Sequence, residues 1–295
     1  MSLDRAIEPR GVQIGMRLLS GLVLAFLYIP LFVIVLYAFN PARSQSWPLP
    51  GLSLRWFVST WNNQEVRTAF VTSIKAGLGA TTIALLLGSL AAFSVHRFKF
   101  FGREAVSFIL ILPLALPGIV TGMALNSTIN LGGQLIGLSF SLWTIIIGHA
   151  TFCVVVVYNN VIARLRRTST SLVEASYDLG ADGIQTFRYV ILPSIRTALM
   201  AGGLLAFALS FDEIIVTNFT SGSEITLPKW IFNNLRLPNQ RPVVNVVASI
   251  LLVASLVPVY LAQRLTQDRA GGLLTTGRGA MLSATEDAFE RPATP

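Results

Sequence analysis

The sequence is poor in most of what a soluble enzyme is built from. Only 12% of its 295 residues are charged, about half of what an ordinary soluble domain carries, so a normal water-facing surface is excluded. A single cysteine, Cys153, excludes an intrachain disulfide and a cysteine metal site. No Gly-x-x-x-x-Gly-Lys-Ser/Thr run, His-Glu-x-x-His pair or Gly-x-Ser-x-Gly elbow occurs, which excludes a phosphate-cradling loop, a zinc-protease helix and a hydrolase nucleophile turn. Acidic residues are also scarce, 14 Asp and Glu against 22 Lys and Arg. In a soluble chain that excess would point to nucleic acid. Here 53% hydrophobic residues and a mean hydropathy of +0.65 identify a polytopic membrane protein, in which basic residues collect in cytoplasmic loops.

Six segments reach the length of about 20 apolar residues that a bilayer requires: 18–39, 69–95, 105–129, 142–162, 197–217 and 243–263. The first is too long for a signal-peptide core and lacks a convincing cleavage site, so it is expected to be retained. With the N-terminus inside, the inner loops and ends carry Arg5, Arg10, Arg17, Arg97, Lys99, Arg103, Arg164, Arg166, Arg167, Arg188, Arg196, Arg264, Arg269, Arg278 and Arg291. The outer loops carry only Arg43, Arg55, Arg67, Lys229, Arg236 and Arg241. That asymmetry predicts both termini in the cytoplasm. All five tryptophans then fall outside. Trp143 is expected to anchor at the outer leaflet edge, while Trp47, Trp56, Trp61 and Trp230 either do the same or form a receptor platform. Ser53 is positioned to cap a short helix in the first outer loop.

A polar island interrupts the apolar segments from Ser171 to Pro193. Ser171 and Glu174 are spaced as a capping box, and Gly180 can supply the left-handed residue that ends the short helix. Glu174-Ala175-Ser176, then Gly180, then Val190-Ile191-Leu192-Pro193 resembles the cytoplasmic signature loop of binding-protein-dependent ABC importer permeases. Ser176 stands where that pattern has Ala, and Val190 where it has Ile. The resemblance implies that this helix seats in a groove of a separate ATP-hydrolysing subunit, with Gly180 allowing close backbone approach. It also implies an all-α fold, the six-helix type I importer (MetI-like) transmembrane domain. On that reading 1–17 is a cytoplasmic segment, 18–265 the permease domain with coupling loop 163–196, and 266–295 a cytoplasmic tail. The tail is rich in Gly, Thr and Ala without apolar period and is read as disordered.

Within the spans, Pro113 and Pro117 remove two backbone donors from the third and predict a bend or break, a candidate hinge. The fifth holds Phe211-Asp212-Glu213. A charged residue at bilayer depth costs about 2.5 to 3.5 kcal/mol on insertion scales, so two adjacent carboxylates call for a function or a partner. Lys75 and His149 reach a comparable depth. One carboxylate is expected to pair with Lys75, the other to line a translocation pathway and attract a cation; His149 is expected to make a helix-packing hydrogen bond.

Ser210-Phe211-Asp212-Glu213, with Phe219-Thr220-Ser221-Gly222 and Thr226-Leu227-Pro228, resembles the second permease subunit of spermidine/putrescine importers. This implies alternating access for a polyamine, two copies of an ATP-binding subunit, a homologous second permease and an extracytoplasmic polyamine-binding protein. ATP and Mg would be bound by the ATPase, leaving this chain without a cofactor, without enzymatic activity and without nucleic acid among its partners. The alternatives are the same fold importing another small solute, such as an opine, an amino-acid-like molecule or an organic cation, a proton-coupled secondary transporter using Asp212 and Glu213 as a relay, and a non-transport scaffold.

Overall fold

In the computed structural model the backbone is described from Arg10 to Phe289, and side chains to Leu265, apart from residues 111, 114, 134 and 136. These residues form helices and loops, with no strand among those described. In chain order they are α1 (Arg10–Ala38), α2 (Arg55–Asn62), α3 (Gln64–Arg97), α4 (Arg103–Ala115), α5 (Gly118–Ile136), α6 (Leu142–Leu165), α7 (Thr170–Asp178), α8 (Gly183–Thr186), α9 (Leu192–Phe211), α10 (Ile215–Thr220), α11 (Leu227–Asn234) and α12 (Arg241–Phe289).

Among the described residues, five stretches are long and apolar enough to cross a membrane: Gly11–Ala38, Gln64–Arg97, Leu142–Leu165, Gly183–Phe211 and Pro238–Leu265. The expected span at 105–129 is instead divided between α4 and α5. Pro117 causes the division. A residue preceding proline is pushed out of the helical region, and Leu116 is extended, with ψ 142°. Pro113 lies inside α4 without ending it. Of the two candidate hinge prolines, only Pro117 sits at the break.

The fifth span also differs from expectation. The sequence pattern predicts one helix through Thr217, yet α9 stops at Phe211 and the chain restarts in α10 at Ile215. Asp212 and Glu213 therefore lie in a gap between helices. Helix α12 continues to Phe289 over backbone read from sequence as a disordered tail from 266; once a helix is nucleated, each added residue costs little. The last six residues of that tail and most of the N-terminal segment, residues 1–9, lie outside the described residues.

The chain forms two compact units, one taking in residues up to Arg67 with Trp230–Leu252, the other Thr68–Lys229 with the chain from Val253 on. The first unit contains α1, whose apolar run buries nothing within the chain, as a lipid- or partner-facing helix would. Ser53 Oγ accepts from Arg55 N at 3.1 Å, but the N-cap position of α2 falls on Leu54, one residue later than expected. Trp56 and Trp230 do not form a surface platform: they are 6% and 2% exposed. Each indole has found a partner, Trp56 Nε1 donating to Asn40 O at 2.9 Å and Trp230 Nε1 to Glu65 Oε2 at 3.3 Å. Trp47 and Trp61 stay on the surface.

The second unit has its core between α3, α6 and α9. Ala80, Ala84, Ala92, Cys153, Val157, Val161, Ile195 and Ala206 are all fully or almost fully buried there. Small residues allow the approach: a Cβ on Gly88 would lie 2.8 Å from Val154 O of α6. This is the close helix packing expected of small residues in membrane bundles.

Candidate functional site

Besides the break at Pro117, the second unit carries two interruptions of its helices, one exposed and one at the end of the span Gly183–Phe211. The exposed one is the signature loop. Helix α7 starts two residues earlier than the Ser171–Glu174 spacing predicts, because Ser169 is the N-cap: its Oγ accepts from Ser171 N at 3.3 Å. Glu174 and Ala175 are exposed, as are Leu172 and Leu179 at 57% and 88%. Gly180 has φ +82°, the conformation in which a Cβ is costly. Around it Gly180 N donates to Tyr177 O at 2.9 Å and Ala181 N to Ser176 O at 3.0 Å. This pair of bonds is the Schellman motif that closes a helix C-terminus.

The capping box missing at Ser171 is found at the next helix. Asp182 Oδ1 accepts from Gln185 N at 2.8 Å, and Gln185 Oε1 accepts from Asp182 N at 3.0 Å. Ser176, the departure from the family's Ala, joins the two helices: its Oγ lies 2.9 Å from Thr186 Oγ1 and 2.7 Å from Val173 O. Leu192 and Pro193 then shape the return into the membrane. Proline has no N–H and crowds the carbonyl of residue i−4; the chain relieves this with a π turn over Phe187–Ile191, in which Leu192 N reaches Phe187 O. Contacts tie the loop to the bundle. Arg97 of α3 stacks over the Tyr177 ring at 5.9 Å, and Arg164 Nε of α6 donates to Ser194 O of α9 at 2.9 Å.

The second interruption is the gap Asp212–Ile214. A helix end inside a bilayer leaves N–H and C=O groups that lipid cannot satisfy. Glu213 supplies one cap, its Oε1 accepting from Val216 N at 2.9 Å. The far end of α10 is capped from other helices: Asn126 Nδ2 of α5 donates to Phe219 O at 2.7 Å, and Thr144 Oγ1 of α6 to Thr220 O at 2.7 Å. Beyond it, Lys229 Nζ donates to Ser221 Oγ, Gly222 O and Glu224 O at 2.6, 3.0 and 3.1 Å. Burial pushes the Lys229 ammonium below the usual lysine range, and nearby Glu224 partly offsets this. This gap adjoins the break at Pro117, since a Cβ on Gly118 would lie 3.6 Å from the Ile215 side chain.

The expected Lys75 pairing is not formed. Lys75 is exposed, and among the described residues no ion pair joins it to Asp212 or Glu213. Glu213 has turned to a backbone N–H instead, which the gap makes available. Phe211 is buried, its ring 5.6 Å from Phe207 and 6.2 Å from Phe70, so it packs the bundle. Asp212 is the exposed member of the acidic pair. His149 is 1% exposed and makes the expected packing bonds, to Ser210 and Thr217. Sequence reasoning missed Asn126 and Thr144, whose cap roles carry no local signature; a polar residue within each apolar segment was the one available signal.

An all-helical chain with several membrane-crossing helices, a broken span and an exposed two-helix loop is built as the membrane part of a transporter. Residues 84–271 match the family described as binding-protein-dependent transport system inner membrane component, and the chain belongs to that family. It is a multi-pass inner-membrane transport subunit and not an enzyme. It is 34% identical over 247 residues to the spermidine/putrescine transport system permease protein PotC of Haemophilus influenzae, covering 83% of this chain and 93% of the relative. It is 32% identical over 263 residues to the putrescine transport system permease protein PotI of Escherichia coli, covering 86% and 92%. A solved bacterial ABC transporter involved in import of the acidic polysaccharide alginate aligns with a TM-score of 0.61 and 16% identity over 91% of this chain and 99% of that one. The MetNI methionine ABC transporter aligns with a TM-score of 0.53 and 17% identity over 70% and 98%. The fold is thus that of the type I ABC importer transmembrane domain.

Proposed function

We propose that this chain is the permease subunit of an ATP-driven importer that carries a polyamine, spermidine or putrescine, across the cytoplasmic membrane by alternating access. The observation that carries the reading is the break at Asp212–Ile214, where one carboxylate is used as a cap and the other is left exposed. A di- or triamine is a polycation at neutral pH, and a carboxylate in a low-dielectric wall attracts it. Identity to PotC and PotI over more than four fifths of the chain supports the same cargo.

Two copies of an ATP-binding subunit hold ATP and Mg and dock on the face around Glu174, Ala175 and Gly180. A homologous second permease completes the pathway, an extracytoplasmic polyamine-binding protein delivers the cargo, and both termini lie in the cytoplasm. When the ATPases close, α7 moves with them. The Tyr177–Arg97 and Ser194–Arg164 contacts pass that movement to α3, α6 and α9, which opens the pathway beside Asp212 outward. A proton relay through both carboxylates is disfavoured, because Glu213 is engaged by Val216 N.

Uptake of labelled putrescine and spermidine in cells expressing the complete system, with and without this chain, tests the reading. Removal of the chain abolishes uptake, and Asp212→Asn lowers it about tenfold or more at unchanged membrane level, as loss of a charge in a low-dielectric site requires. Polyamine uptake unchanged without the chain would overturn the cargo and direct attention to other small organic cations.

A further inference from the structure

His149 lies on α6, one residue after Gly148, and a Cβ on that glycine would come within 3.2 Å of both Thr220 and Val216 of α10. The imidazole is thereby brought between the two halves of the interrupted fifth span. Nδ1 is 2.7 Å from Ser210 Oγ, on the last turn of α9, and Nε2 is 2.8 Å from Thr217 Oγ1 on α10. Thr217 Oγ1 also lies 2.8 Å from Glu213 O, to which it donates. A hydroxyl has one proton. With that proton committed to the Glu213 carbonyl, Thr217 can only accept from the ring, so Nε2 carries the hydrogen and Nδ1 accepts from Ser210. The relay Ser210 to His149 to Thr217 to the Glu213 carbonyl runs in one direction and closes around the gap that holds Asp212.

We propose that His149, as the Nε2–H tautomer, is a positioning residue that clamps α9 to α10 and so fixes the direction in which Asp212 points. The proposal rests on the reading of Asp212 as the group that receives the cation. His149 itself is buried and does not touch the cargo. Its effect runs through two hydroxyls and one carbonyl, and any side chain that both accepts from Ser210 and donates to Thr217 can stand in for it. Glutamine has both groups; leucine has the volume without either.

Two measurements test the clamp. In the first, a cysteine replaces Asp212 in a Cys153→Ala background, and its labelling by a charged, membrane-impermeant thiol reagent is timed in the assembled importer. Adding His149→Leu or Thr217→Val changes the labelling rate about fivefold or more, as loss of a buried hydrogen bond allows, whereas His149→Gln leaves it within about twofold. In the second, with Asp212 in place, His149→Leu raises the KM for putrescine by about tenfold at normal membrane level, and His149→Gln restores it. Labelling that ignores both His149→Leu and Thr217→Val overturns the clamp. So does a His149→Gln variant as impaired as His149→Leu, since the ring would then have a role that hydrogen bonding does not explain. If His149→Leu fails to reach the membrane, Thr217→Val gives the same reading with one bond removed. If the parent chain moves no polyamine at all, the proposed cargo fails while the labelling still decides the clamp.

Discussion

Two helix interruptions within one unit are finished in opposite ways. At the signature loop, water can satisfy any backbone group left over, so the ends are closed by residues within a few positions: Ser169 for α7, Gly180 behind it, Asp182 and Gln185 for α8. At the gap between α9 and α10 water is not available in the same way. Glu213 closes the near end of α10, His149 bridges the gap through Ser210 and Thr217, and the far end of α10 is closed by Asn126 and Thr144 from other helices. A break in water is local; a break in a membrane is a tertiary structure. The first leaves exposed apolar side chains for a partner to cover, as at Leu172, Leu179 and Ile184. The second leaves an exposed carboxylate, Asp212, with Ile215 and Asn218 exposed just beyond it.

The sharpest way to break this comparison is to remove the distant caps. Asn126→Leu combined with Thr144→Val strips donors from the Phe219 and Thr220 carbonyls without changing side-chain volume greatly. Each buried carbonyl left without a partner costs about 1 to 3 kcal/mol, and lipid offers no substitute. The double variant is expected to lose most of its membrane-inserted, protease-resistant protein, read by immunoblot of membranes. Normal levels would show that the far end of α10 does not depend on caps from other helices, and the distinction between the two breaks would collapse.

A smaller effect is expected at Gly180. No atom lies within 4 Å of a Cβ placed there, so steric clash within this chain is not the issue. The left-handed backbone is, at about 1 to 2 kcal/mol for an ordinary residue and more trouble for a β-branched one. Gly180→Val is expected to lower ATPase binding and uptake several-fold while the bundle stays folded, and Gly180→Asn to retain most of both because asparagine tolerates this conformation. Co-purification of the ATPase with each variant checks it. Equal loss in both would mean that the missing side chain, not the backbone angle, is what the partner needs.

This contrast also sets how far the sequence could be read. Four of the six expected spans, a proline break in the third and the left-handed Gly180 follow from local chemistry, and these are present. The start of α7 was misplaced by two residues because Ser169 and Ser171 are equally good caps and only the chain's entry angle chooses. The fifth span was misread more seriously. Ser210 to Thr220 contains no proline or glycine, and nothing nearby shows that the helix ends at Phe211. What holds α10 in place is His149, Thr144 and Asn126, each far away along the chain, so pairing one carboxylate with Lys75 is a charge argument that presumes a continuous helix. The tryptophans failed for a related reason: Trp56 and Trp230 were legible as outer residues, but their indole partners, Asn40 O and Glu65, are tertiary.

The smallest effect concerns Ser176, where the chain departs from the family's alanine. Its hydroxyl already donates to Val173 O, so in the pair with Thr186 it must accept, and Thr186 donates. Thr186 is 1% exposed. Restoring alanine at 176 therefore leaves a buried hydroxyl without its acceptor, a loss of about 1 kcal/mol or somewhat more, even though alanine has the higher helix propensity. Removing the second hydroxyl as well, in Ser176→Ala with Thr186→Val, takes away the unsatisfied group and is expected to recover most of the loss. A double-mutant cycle on thermal stability of the purified importer measures the coupling directly, and a value near zero would show that the two hydroxyls sit together without depending on each other. A coupling close to 1 kcal/mol would mean that α7 and α8 are locked by a side-chain bond that the family's alanine cannot make, so that this loop moves as one body when its partner pulls on it.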